Sequence, residues 1–217
     1  MKWYIILLNI FELLACVTGL FYWRKIRNSF WQWFPVYLGV IFLTEMTGEY
    51  LLFVKRDLSA NIFLYTYFGI PAQFFFFYWL FYQYFKIKKS NRKWSLISTA
   101  IYLVALIADL TYISKHEFYF ESFSYVIGCL FMLILLLIFL FGFTNEEEIV
   151  NYKKSMMFWV CIGLLIFYIG ATPFFAFRSK LYKENTAFFY VYWYVQFGLN
   201  YLMYLLFTVA FIWGKPR

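Results

Sequence analysis

The sequence predicts an all-α polytopic membrane protein, with seven transmembrane helices forming one domain over residues 1–217. Three observations predict it. First, 65% of the residues are hydrophobic and only 14% are charged, against about 45–50% and about 25% in soluble domains. A soluble fold of this length has no interior large enough for that much apolar surface. Second, apolar runs of about 20 residues, the length that crosses a bilayer, recur along the whole chain. Third, the basic residues fall in short clusters between those runs: Arg24, Lys25 and Arg27; Lys86, Lys88, Lys89, Arg92 and Lys93; Lys153 and Lys154; Lys215 and Arg217. This is how loops are held against anionic headgroups. The formal charge of +8 therefore implies the lipid bilayer as partner. Nucleic acid is excluded, because it would need those charges on a soluble face.

The spans are expected at 3–23, 33–54, 62–85, 94–113, 119–142, 155–176 and 187–213. In the first, Lys2 followed by an apolar run to Leu13, Leu14, Ala15 and Cys16 is similar to a lipoprotein leader. Glu12 interrupts the run, however, and it continues past Cys16 to Trp23 and the first basic cluster, so it reads as a retained span. Ala15 and Gly19 give it a surface for close helix contact. The second span carries Glu45 and Glu49 in otherwise apolar sequence. The fourth is short, and its Ala100, Ala105 and Ala108 offer another small-residue surface. The fifth is almost pure Leu, Ile, Phe and Met and is expected to be the most lipid-exposed. Before the sixth, Asn145 and Glu148 have capping-box spacing, which suggests a short interfacial lead-in. Loops this short make sequential neighbours antiparallel.

Counting Lys and Arg orients the bundle. With the N-terminus outside, the cytoplasmic segments hold 12 and the outer segments 7, which favours N-out and C-in. Similar lengths of the two halves also raise a 3+1+3 repeat, a known transporter layout.

Charge in hydrocarbon costs several kcal/mol, so each carboxyl within a span needs a reason. Four qualify: Glu12, Glu45, Glu49 and Asp109. A spacing of four puts Glu45 and Glu49 on one helix face, about 6 Å apart along the axis. On the N-out topology all four lie between mid-membrane and the outer surface. Gln73, Gln196 and Asn200 fall at central depths, with tyrosines including Tyr50, Tyr65 and Tyr192 near the same level. The expectation is an outward-facing polar pocket lined by Glu12, Glu45, Glu49, Asp109, Gln73, Gln196 and Asn200, with His116 and Glu121 at its rim. The competing reading is that these groups satisfy one another and only stabilise the bundle.

Missing residue types narrow the chemistry. No Lys or Arg lies inside a span, which removes a Schiff-base lysine. His116 is the only histidine and falls in a loop, which removes a histidine zinc site and a Ser–His pair. Cys16, Cys129 and Cys161 lie in apolar runs and read as buried hydrophobes. No metal, cofactor or catalytic residue is expected.

The segment TEMTGEY around Glu45 and Glu49 and NIFLY from Asn61 carry a resemblance. So do Phe158-Trp159 with GLLIFYIG from Gly163, and LNYLMYLLF from Leu199. On these residues the chain resembles a family of small seven-span inner-membrane proteins common in the Bacteroidota, similar to modules associated with sensory proteins. The resemblance implies a seven-helix fold, a multi-pass place in a bacterial inner membrane and a separate membrane partner or sensor subunit for any output. It implies no established activity. The leading expectation is thus a non-enzymatic protein whose pocket senses a small-molecule ligand or engages a partner. The alternatives are a small-molecule or proton-coupled transporter, a structural subunit of a membrane complex, and a lipid enzyme working with carboxylates alone.

Overall fold

The computed structural model describes residues 3–113, 123–144 and 147–216. The chain opens with α1 (Trp3–Phe21), a short α2 (Trp23–Ile26) and a 3-10 turn, followed by α3 (Trp33–Glu49). α3 runs into a π-helical turn over Tyr50–Val54. α4 (Leu58–Leu64) continues through a second π turn, Tyr65–Gly69, into α5 (Ile70–Ile87). α6 (Arg92–Ala108) ends in a third, Asp109–Ile113. α7 (Phe123–Thr144), α8 (Met156–Glu184) and α9 (Thr186–Trp213) complete the bundle.

Six of these helices are long and apolar enough to cross a membrane, among the described residues. The expectation of seven is corrected to six. The stretch that fails is the third, 62–85, which becomes α4, the second π turn and α5. From Pro71 to Phe85 no residue is exposed. A helix surrounded by protein needs no lipid-like surface, and Gln73, Gln83 and several tyrosines make this one less apolar than a span. It carries the centre of the core instead. Phe74, Phe77, Tyr78, Leu80 and Phe81 are all fully or almost fully buried. The Phe74 ring lies within 6 Å of the rings of Tyr78, Tyr102, Tyr125 and Tyr168. Tyr78 donates to the Gly128 carbonyl at 2.8 Å, tying α5 to α7.

Small residues set the closest approach of α1 to its neighbours. α1 buries Leu8, Asn9, Glu12, Ala15, Cys16 and Gly19 on one face. At Gly19 the crossing is so tight that a methyl group would sit 2.7 Å from Pro35 and 2.8 Å from Phe211. α1 and α9 lie side by side in the same direction, with Tyr4 against Tyr194 and Phe197 at one end and Gly19 against Phe211 at the other. Of the α6 alanines only Ala105 is buried; Ala100 is exposed. α7 is not the most lipid-exposed helix. It is 39% covered, against 17% for the span Phe30–Val54, because Cys129, Met132, Leu135, Leu136 and Phe139 recur at helical spacing on one face and are buried.

Local chemistry sets the ends. Asn145 lies outside the described residues, and α8 is capped by Ser155, whose hydroxyl accepts from the Phe158 amide at 3.3 Å. Asn185 accepts from the Phe188 amide at 3.0 Å to start α9. Pro173, inside α8, removes one helical hydrogen bond, and the Tyr192 hydroxyl donates to the nearby Gly170 carbonyl at 3.0 Å. All three cysteines are buried and free.

Candidate functional site

TEMTGEY forms the end of α3 and, with Tyr50, the start of the π turn; Thr44 and Thr47 return their hydroxyls to the Val40 and Leu43 carbonyls at 2.8 and 2.7 Å. Gly48 leaves room for an aromatic ring: a methyl there would lie 2.7 Å from the Tyr65 hydroxyl. Tyr65 therefore reaches across Gly48 and donates to Glu45 Oε2 at 2.6 Å. Beside it Asn61 donates to the Gly48 carbonyl at 2.8 Å, which fastens α4 to the end of α3. Asp57 accepts from the Ala60 amide at 2.9 Å and caps α4.

Glu49, one turn beyond Glu45, is held from α1. Asn9 donates to its Oε1 at 2.7 Å, while Oε2 is buried with no partner. Glu12, three residues after Asn9, is 2% exposed. Tyr204 of α9 is its hydrogen-bonding neighbour, Glu45 and Glu49 lie within electrostatic reach, and its Oε2 also has no partner. Three carboxyls from α1 and α3 thus meet among neutral donors, and no lysine or arginine pairs with them among the described residues.

Beside this cluster lies a cavity of about 290 Å³ between α1, α3, α4, α8 and α9. Glu45, Glu49, Asn61, Gln196 and Asn200 supply its polar lining; Tyr65, Phe175, Trp193 and Phe197 supply rings. Gln196 is only 7% exposed, and neither its amide nitrogen nor its oxygen has a hydrogen-bond partner. Asn200 donates to the Gln196 carbonyl at 3.2 Å. Around the cavity, Glu49 Oε2 and Gln196 Oε1 are acceptors without a donor, and the Gln196 amide nitrogen has two N–H donors without an acceptor.

The structure brings Glu12, Glu45, Glu49, Gln196 and Asn200 together and separates the other two expected members. Asp109 is fully buried at the α6–α7 junction, where Oδ2 accepts from the Ser124 amide at 2.8 Å. It caps α7 from the neighbouring helix, a fixed structural use for a buried carboxylate. Gln73 donates to the Tyr168 hydroxyl at 3.0 Å within the aromatic core. The rim residues His116 and Glu121 lie outside the described residues. Sequence reasoning passed over Asn9 and Tyr204. The signal for Asn9 was its spacing of three from Glu12, which places both on one face of α1; nothing separated Tyr204 from the other tyrosines.

Among the described residues no group of His, Cys, Asp and Glu is arranged to hold a metal ion. Comparison with known proteins finds no family model that matches the chain, and no similar curated protein or solved structure. With six spans rather than seven as well, the resemblance to the seven-span family is withdrawn, and the bacterial inner-membrane setting that rested on it is not carried forward.

Proposed function

We propose that this multi-span membrane protein works without catalysis, by binding a small molecule in the acidic and aromatic cavity and relaying its occupancy along the bundle to a membrane partner. One observation carries the reading. Gln196 and Glu49 both line this cavity, and behind its surface both Gln196 amide atoms and Glu49 Oε2 are buried with no hydrogen-bond partner. Buried polar groups are almost always hydrogen-bonded, and leaving one unmade costs about 1–3 kcal/mol. Such groups gathered at one cavity are what a binding site shows before its guest arrives. Two of the three π turns begin at or beside residues of the cavity, at Tyr50 next to Glu49 and at Tyr65. π turns inside helices are frequent at functional sites.

The test is native purification with mass spectrometry of co-purifying lipids, metabolites and proteins, repeated on Glu45→Gln with Glu49→Gln. Loss of a bound species supports the reading; an unchanged set overturns it for these residues. A transporter is the second reading. It is favoured by Glu12, buried beside the cavity carboxyls with its own oxygen unpartnered, and solute flux in proteoliposomes lost in Glu12→Gln would establish it.

A further inference from the structure

The link between α5 and α6 is short, residues 88–91, and two of its members turn it sharply. Lys89 and Asn91 adopt positive φ, 53° and 41°, in the left-handed region of the backbone map. The Lys89 amide donates to the Lys86 carbonyl at 3.2 Å, and the Ser90 amide to the Phe85 carbonyl at 3.0 Å. Just beyond, the Ser95 hydroxyl donates to the Tyr78 carbonyl and clasps α6 against α5. The two helix ends are thereby brought around one concavity of about 480 Å³.

Its lining is one-sided in charge. Lys86 comes from the last turn of α5, Lys89 from the link, and Arg92 and Lys93 from the first turn of α6. No residue that lines it is acidic. These cations are exposed, whereas the Lys25 ammonium of the first basic cluster is spent on the Phe211 and Ile212 carbonyls. The concavity also lies at the membrane edge. Trp94 lines it, and Ile87, Leu96 and Ile97 beside it present exposed apolar side chains, as helix ends do where hydrocarbon gives way to headgroups. Basic pockets between helices at that level suit phosphorylated headgroups.

Charge and size decide which kind. A phosphodiester carries a single negative charge, so a headgroup with one phosphate leaves most of these cations unanswered. At roughly 30 Å³ for each water-sized atom, a five-atom phosphate also takes up only about a third of the space. We infer that the α5–α6 corner is a binding site for a phospholipid with two phosphates in one headgroup. Lys86, Lys89, Arg92 and Lys93 answer the phosphates, and the acyl chains lie along Ile87, Leu96 and Ile97. The site is independent of what the acidic cavity binds.

The experiment is native mass spectrometry of the full-length protein in detergent. It is titrated with diphosphatidylglycerol, or with twice that concentration of phosphatidylglycerol so that phosphate is matched. The expected result is a single diphosphatidylglycerol retained per chain, on the order of tenfold more tightly than phosphatidylglycerol. Arg92→Gln with Lys93→Gln should remove that preference. Lys153→Gln with Lys154→Gln takes the same charge from another exposed loop and should leave it. Equal retention of the two lipids overturns the inference. So does an equal loss in both double variants, which would mean attraction to net charge alone. Inorganic pyrophosphate displacing the lipid at equal concentration would make the guest a soluble diphosphate and overturn the lipid assignment. All the substituted side chains are exposed, and the wild-type comparison of the two lipids decides without them.

Discussion

Asn9 and Glu49 show how a membrane bundle uses polar side chains singly. The 2.7 Å bond between them joins α1 to α3 where both are buried. Replacing Asn9 by Leu removes the donor to Glu49 but also removes the Asn9 oxygen, which has no partner of its own. The two effects oppose, and interhelical hydrogen bonds in bilayers are modest, so Asn9→Leu should destabilise by about 1 kcal/mol. Thermal unfolding in detergent measures it, and an unchanged Tm would mean the bond contributes nothing. Glycines give a sharper contrast. An alanine at Gly48 meets the Tyr65 ring at 2.7–3.0 Å and must displace it from Glu45, whereas nothing lies within 4 Å of a methyl at Gly142. Gly48→Ala should lower Tm by more than Tyr65→Phe does. Gly142→Ala should raise stability, by up to about 1 kcal/mol from helix propensity alone. Equal effects of the two alanines would contradict the packing at Gly48.

At the scale of helices, what the sequence displayed was lipid compatibility, and what it hid was packing. Runs such as 3–23 and 187–213 were legible because a bilayer imposes both length and composition on any helix it touches. The failure at 62–85 has the same cause: α5 lies inside the protein, where aromatic and amide side chains satisfy one another and hydropathy no longer identifies the element. α7 is the opposite case, since its uniform Leu, Ile, Phe and Met content concealed a buried face. Met132, Leu135 and Leu136 are fully buried, while Leu137 is 46% exposed. Leu136→Ala should therefore cost about 2–5 kcal/mol, and Leu137→Ala, which trades one lipid contact for another, about 0.5 kcal/mol or less. Chemical or thermal unfolding of the pair distinguishes a packed face from a uniformly greasy helix. The site was half legible for a related reason. Four-residue spacing fixed Glu45 and Glu49 on one face, but only tertiary contacts decide that Gln196 joins them while Asp109 caps α7 and Gln73 bonds Tyr168.

Across the whole molecule, the basic clusters at Lys25, Lys154 and Lys215 meet at one corner. The Lys25 ammonium donates to the Phe211 and Ile212 carbonyls at 2.9 and 3.1 Å, fastening the α1–α2 corner to the end of α9. The Lys215 amide donates to the Lys154 carbonyl at 2.7 Å. Burial first, and then the Lys215 charge, hold Lys25 below the ordinary lysine range. A lowered value in the folded state means that folding disfavours the protonated form, so the burial of this charge, and then its crowding by Lys215, oppose the native state below the usual lysine range and cease to do so above it. Anionic headgroups relieve the same crowding at neutral pH. The protein should therefore melt higher in phosphatidylglycerol nanodiscs than in phosphatidylcholine nanodiscs, and Lys25→Gln should reduce the difference. Anionic lipid is also the mark of a cytoplasmic leaflet, and we propose that the basic end faces it, leaving the acidic cavity toward the other side. Ser90 lies in the basic loop before α6, and Ser59 lies at the start of α4 near the cavity; both are exposed. Because Cys16, Cys129 and Cys161 are buried, a new surface thiol should dominate labelling. In intact cells a membrane-impermeant maleimide should label Ser59→Cys and reach Ser90→Cys only after permeabilisation. The reverse pattern would put the cavity on the cytoplasmic side, where its guest would have to come from inside the cell.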